Sequence, residues 1–238
     1  MTESTKTLLS VTFDRKRLHE EIVTVIQQRI LAGELPPGER LPAERELADL
    51  MHVNRATVRE ALRKLESLEL VEIRHGDGVY VKDYLESGNL ELIRSLIYLR
   101  DVPNIDVFDN ILELRRLMVP EMAAGAAVKR TGSQVAALEA LIADTSLSMR
   151  EKDIALHHLI ARASHNILYV ITLNFFYRLS GEVLDLYFNN RDTVEKTARF
   201  HNDICSAIKD KKPVKAKKIM IDILVYAEAR IREALSRF

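Results

Sequence analysis

The chain has 238 residues, 47% of them hydrophobic, and its 35 lysines and arginines match 35 aspartates and glutamates, for a formal net charge of zero. That length accommodates two domains, or one large one, with a sizeable core. Cys205 is the single cysteine, which excludes an intrachain disulfide and a cysteine-rich zinc site, and no stretch approaches the roughly 20 apolar residues of a membrane span.

Residues 1 to about 13 are polar, are expected to be disordered, and lack the apolar run of a signal peptide, so a cytoplasmic location is expected. Leu18, Ile22, Val25, Ile26 and Ile30 then recur at helical spacing up to a C-cap at Gly33, and Pro36-Pro37-Gly38 turns the chain. Residues 43–51 carry Leu47, Leu50 and Met51 on one side of a short helix. His52-Val53-Asn54 breaks that run, and Asn54 can cap the next helix. From Arg55 the apolar stripe is Val58, Ala61, Leu62, Leu65 and Leu68; off it stand Arg55, Arg59 and Arg63, four apart on one line. The period then changes, with Val71 and Ile73, then Val79, Tyr80 and Val81, flanking His75-Gly76-Asp77-Gly78 as the arms of a hairpin. Three helices and a β-hairpin wing over 14–82 make a winged helix-turn-helix.

That arrangement suits DNA. A helix about 10–12 Å across fits the major groove, and arginines in its first turns can grip guanine edges bidentately. Thr57 and the helix N-terminus can take phosphate, and glycines beside Asp77 let the wing approach a backbone closely. The neutral total charge argues against a broad basic field, yet between 55 and 64 Arg55, Arg59, Arg63 and Lys64 face only Glu60. Affinity is therefore expected from a few placed contacts and from dimerisation. An ordinary exposed arginine face would explain any one of these features, but not their order.

Residues 83–104 read as a linker, polar to Asn89 with Gly88 inside it, continuing into a short amphipathic helix over 90–99 able to pack between domains. From 105 to 238 the pattern is helical throughout, which predicts an antiparallel bundle of six or seven helices and a mainly α chain. Val107, Ile111, Leu114, Leu117 and Met118 form one stripe, Pro120 is expected to kink that helix, and 123–127 is a small-residue surface. Ser133 is expected to cap a helix reaching 147, with further helices over 151–164, 167–188, 193–209 and 214–237.

Asp153 and His157 are four apart on one helix, and His201 lies on another with Phe200 and Ile204 as apolar neighbours. One carboxylate and two imidazoles can hold zinc, nickel or manganese if those helices face each other. The plain alternative is a solvated Asp–His pair and a hydrogen-bonded core histidine. A metal-dependent hydrolase on these residues is the rival from another class; it needs an open metal position and a general base. No glycine-rich phosphate loop, nucleophile elbow or HExxH helix supports it.

The stretch LPPGERLPAERELADLMHVNRATVREALRKLESLELVEIRHGDGVYV resembles the DNA-binding domain of the GntR family of bacterial transcription regulators. The resemblance implies that Arg45 contacts backbone and base, Arg55 and Arg59 read bases, Thr57 takes phosphate, and His75 with Gly76 enters the minor groove. The wing departs from it mildly, with Asp77-Gly78-Val79 where many members have a third glycine or a serine. Residues 90–235 resemble the helical ligand-binding domain of the FadR-type subfamily. This implies a dimeric repressor on an inverted-repeat operator, released by a small effector, with Arg115 pairing an effector carboxylate or phosphate and Asn166 at the pocket edge or simply capping a helix. In metal-binding members Asp153, His157 and His201 would be three of four ligands; the fourth position is Ile223, which leaves a three-ligand site completed by water. ESGNLELIRSLIYL, ARASHNILY and VLDLYFNN resemble instead the fatty acyl-CoA-responsive branch, in which Tyr177, Tyr187 and Phe188 would line an acyl pocket. There too a departure stands, because Leu224 replaces the glycine that admits the CoA moiety.

Overall fold

The computed structural model describes residues 15–97, 104–179 and 181–235; the expectation of disorder over 1–13 lies outside them. The chain is mainly helical and divides into two compact units, 1–108 and 109–238.

The first unit begins with α1 (Arg15–Leu31), whose Ile22, Val23, Ile26 and Ile30 are buried. Val25, on the predicted stripe, is 43% exposed, since Val23 takes the inward position instead. β1 (Arg40–Leu41) leads into α2 (Glu44–Leu50) and α3 (Arg55–Ser67). Burying only Leu47 and Ala48, the seven-residue α2 leaves Leu50 64% exposed, against the expected stripe. The turn to α3 places His52 at φ 55 and returns Val53 N–H to the Ala48 carbonyl. Asn54 caps α3 as the sequence predicts, its Oδ1 accepting from Thr57 N–H at 2.9 Å. β2 (Val71–Arg74) and β3 (Gly78–Val81) form the hairpin with Ile73 opposite Val79. β1 adds a third strand on the other side of β3, pairing Leu41 with Val79, in the order β1-β3-β2. Two residues carry too little alternation for a strand signal, so this edge has no local signature. α4 (Tyr84–Ser87) and α5 (Leu90–Ile97) come next, and Leu92 is buried in the same core as Val58, Leu62 and Leu65. The predicted end of α5 at 99 lies outside the described residues.

Seven helices are described in the rest of the chain: α6 (Ile105–Lys129), α7 (Gly132–Ala143), α8 (Met149–Ala163), α9 (Ile167–Leu179), α10 (Gly181–Phe188), α11 (Arg191–Lys209) and α12 (Pro213–Leu235). α6 is one continuous helix through Pro120; it buries Val119, Met122, Ala123, Ala126 and Ala127 while leaving Leu114 and Leu117 exposed. The small residues serve close packing: a Cβ on Gly125 would stand 3.4 Å from Ser164 Cβ. α7 starts one residue before the expected cap. Thr131 and Gln134 form a reciprocal capping box there, and the helix stops at Ala143, where Asp144 turns its side chain to Ser146 N–H. The long helix expected over 167–188 is two, α9 and α10; glycine, the poorest helix former after proline, opens the second. Arg130 ties the end of α6 to that of α11 by donating to the carbonyls of Ile208 (3.3 Å) and Lys209 (2.5 Å).

Candidate functional site

On α3 the apolar stripe fixes the outward face. Val58, Ala61, Leu62 and Leu65 are essentially inaccessible, so Arg55, Arg59 and Arg63 must project to solvent, as they do. Arg45 on α2 is exposed as well. The three α3 arginines differ in freedom. Arg59 is clasped by Glu44, with Nε 3.0 and 3.1 Å from the two carboxylate oxygens and Nη2 2.7 Å from Oε2. These hydrogen bonds hold the Glu44 carboxyl below its ordinary value and the Arg59 guanidinium above its own. Thr57, expected at a phosphate, is 7% exposed, and its hydroxyl donates to Asn54 Oδ1 at 3.1 Å. The available phosphate donors are therefore backbone N–H groups at the α3 start more than this hydroxyl.

The wing tip is a four-residue turn closed by Asp77 N–H to the Arg74 carbonyl, with Gly76 at φ 78 in its third position, where side chains are disfavoured. His75 and Gly76 are exposed. Two further residues brace this tip. Arg40 of β1 donates to the Asp77 carbonyl and lies against Gly78, where a Cβ would meet its Nε at 2.6 Å. Tyr80 donates to Asp77 Oδ2 at 3.0 Å and carries the Arg74 guanidinium 4.2 Å from its ring centroid. Only the pairing of β1 with β3 brings Arg40 there, so no local pattern announces it.

The helical unit brings together Asp153 and His157 of α8 and His201 of α11, all buried. His201 Nε2 donates to Asp153 Oδ1 at 3.0 Å, and His157 Nδ1 bonds the Asp153 backbone carbonyl at 2.9 Å while standing 3.6 Å from Oδ2. Burial pushes the Asp153 carboxyl up, but the His157 and His201 contacts and the Arg115 charge outweigh it and hold it below the ordinary range. Burial lowers His157, despite the opposing pull of Asp153. Around them stand Tyr177, its ring centroid 6.4 Å from that of His157, and Phe200, at 5.8 Å. Among the described residues two enclosed polar atoms of this cluster have no hydrogen-bond partner: His157 Nε2 and the Tyr177 hydroxyl. Arg115 is half-buried and acts electrostatically on Asp153, His157 and Tyr177. Tyr187 is engaged elsewhere, 3.2 Å from Thr197 Oγ1, and its hydroxyl is pushed up to about 12 by burial. Asn166, the expected pocket-edge residue, caps α9 by accepting from Leu168 N–H at 3.0 Å.

The three predicted metal ligands thus meet, with Asp153 and His201 hydrogen-bonded to each other. Asp153 accepts from His201 Nε2, and the fourth position is the buried apolar Ile223; His157 turns Nδ1 to a backbone carbonyl and keeps Nε2 open. Among the described residues no group of three or more histidine, cysteine, aspartate or glutamate side chains is placed to hold a metal ion. What the cluster offers is a polar, enclosed spot with one imidazole nitrogen and one phenol to satisfy, beside a guanidinium.

Known proteins resemble both halves of the chain. Residues 18–81 match the family of bacterial regulatory proteins called gntR, and residues 82–230 match the FadR C-terminal domain. The HTH-type transcriptional regulator Mce2R of Mycobacterium tuberculosis is 42% identical over 113 residues, 48% of this chain and 47% of that one. This chain therefore spans about half the length of that relative. The fatty acid metabolism regulator protein of Shewanella oneidensis is 32% identical over 181 residues, 75% of each chain. Among solved structures, Lar, which controls expression of the Listeria monocytogenes agr system, aligns with a TM-score of 0.56 at 16% identity, over 94% of this chain and 99% of that one. At that identity the likeness is one of fold.

Proposed function

The chain belongs to the gntR family of bacterial regulatory proteins and carries a FadR-type C-terminal domain, and from that premise we propose that it is a ligand-responsive regulator of transcription, binding an inverted-repeat operator as a two-fold dimer in the cytoplasm. The observation that carries this is the outward line of arginines on a capped helix, preceded by Arg45 and followed by the braced wing tip of His75 and Gly76. A helix of that kind reads base edges in the major groove, and a dimer places two of them about one DNA turn apart.

The helical unit is the effector-binding half. An organic anion would accept from the Tyr177 hydroxyl and, once its charge has drawn a second proton onto the ring, from His157 Nε2; it would also meet the Arg115 charge. For release from DNA the effector must bind the DNA-incompetent state more tightly, by about 5.5 kcal/mol for a switch from 99:1 to 1:99. A fatty acyl-CoA is the second reading of the effector, favoured by the fatty-acid role in the name of the Shewanella oneidensis relative, while Leu224 in α12 weighs against it. The hydrolase alternative is the less supported one, since the relatives are named as regulators and two of the donors it requires, Asp153 and His201, are hydrogen-bonded to each other.

Two measurements test the reading. Selection from a random pool of duplex DNA is expected to recover an inverted repeat with the wild-type chain and nothing with Arg55→Ala/Arg59→Ala. Failure of the wild type to enrich any sequence would sink it. Native mass spectrometry of the purified protein, with metal analysis on the same sample, tests the effector class. Retained small carboxylate without metal is expected; a retained acyl chain moves the protein to the lipid branch, and stoichiometric metal overturns the metal-free reading of the cluster.

A further inference from the structure

The clasp between Glu44 and Arg59 joins two helices whose relation to DNA differs. Glu44 opens α2, where no side chain caps the helix and a carboxylate suits the N-terminal dipole. Arg59 lies one turn into α3. A guanidinium has five N–H donors, one on Nε and two on each terminal nitrogen. Glu44 takes the Nε proton and one from Nη2, along the side edge. Both Nη1 protons and the second Nη2 proton remain, and one of the former with the latter forms the end-on fork that matches O6 and N7 of guanine. Arg55 and Arg63, one turn before and one after, are exposed and form no hydrogen bond or ion pair with the described residues, so their long side chains keep their rotamer freedom. Of the three, only the middle arginine is aimed in advance.

Stability does not account for the pair. Arg59 is 53% and Glu44 35% exposed at the side chain, and a pair so open to water contributes little to folding. Its charge acts on binding instead. A carboxylate among the reading arginines repels phosphate, so it weakens attachment to any duplex while leaving the Arg59 fork free for a base.

We propose that Glu44 sets the sequence selectivity of this surface, acting as a positioning residue that orients Arg59 for a guanine and opposes its capture by phosphate; the inference rests on the DNA-binding reading above. The experiment uses the full-length chain in fluorescence anisotropy, against the duplex recovered by selection and a random duplex of equal length, between about 50 and 200 mM salt. Glu44→Gln keeps an acceptor but removes the charge. It is expected to bind random duplex more tightly and to lower the operator-to-random ratio roughly tenfold, with the salt slope steeper by about one. Glu44→Asp keeps the charge but is one methylene too short to hold both nitrogens. It should lose selectivity at the base pair read by Arg59 while keeping the wild-type salt slope. In an Arg59→Ala background neither substitution should lower selectivity further, because the residue it acts through is gone.

An unchanged ratio in Glu44→Gln would overturn the proposal. So would a loss in Glu44→Gln that adds in full to that of Arg59→Ala, or a gain on operator as large as on random duplex. If the wild type selects no sequence at all, the DNA-binding reading falls first and this inference with it; if the wild type selects an operator and the Glu44 variants match it, only the inference falls.

Discussion

The charged groups of the α3 surface and those of the helical unit's interior are arranged on opposite terms. On α3 the side chains are exposed, and Arg55 and Arg63 await a partner that carries negative charge. In the interior, Asp153, His157 and His201 have already found one another, and a ligand is left a ring nitrogen and a phenol to satisfy. The exposed set costs folding little because water solvates it. Leaving a buried polar group unpaired costs about 1–3 kcal/mol, so the interior set holds a reserve that a ligand can release on binding. An outer surface is thus defined by what projects, an inner site by what is missing.

The contrast breaks most forcefully at Asp153. Asp153→Ala leaves the buried His201 N–H without an acceptor and opens a small void. It is expected to destabilise the helical unit by roughly 3 kcal/mol, measured by urea unfolding, while α3 variants leave that transition in place. Substitution on the outer surface should do the reverse. Arg59→Ala is expected to weaken operator binding roughly 10- to 100-fold in gel shift, with the melting temperature unchanged. Unaltered operator affinity would remove Arg59 from the reading set. Tyr177→Phe sharpens the contrast, since it deletes an orphaned hydroxyl. The free protein should become more stable by about 1 kcal/mol and the effector should bind more weakly, and a stability loss would show that the hydroxyl has a partner after all.

The last effect is one of pH. His157 is lowered from its ordinary value of 6.5 by burial, so the folded chain binds fewer protons than the unfolded chain below that pH. Stability at this residue is complete above pH 6.5 and declines on acidification, by up to about 1.4 kcal/mol per unit, until the folded imidazole itself protonates. Asp153, also lowered, adds to the loss only at more acid pH, below its ordinary 3.8. Unfolding of His157→Phe between pH 8 and 5 should be flatter than that of the wild type.

The same division explains what could be read from the sequence. Asn54 as a cap, the apolar stripe of α3 and the line of arginines follow from spacing along one segment, and each is found where the sequence puts it. The clustering of Asp153, His157 and His201 was legible through family likeness. Their mutual hydrogen bonds were not, because those depend on how α8 and α11 meet. Leu50 misled because a seven-residue helix has too few turns to reveal which side faces inward. Arg40 and Glu44 gave no signal, since each gains its role from a partner distant in the chain, Asp77 for one and Arg59 for the other.

The clasp on Arg59 bears finally on time. On the order of 10⁶ or more competing sites face a regulator on a chromosome, and each passing attachment delays arrival at the right one. A surface with three unopposed arginines would dwell at every stop. With Glu44 beside the middle one, attachments to arbitrary DNA are briefer, and a neutral chain can scan more sequence for each encounter that counts.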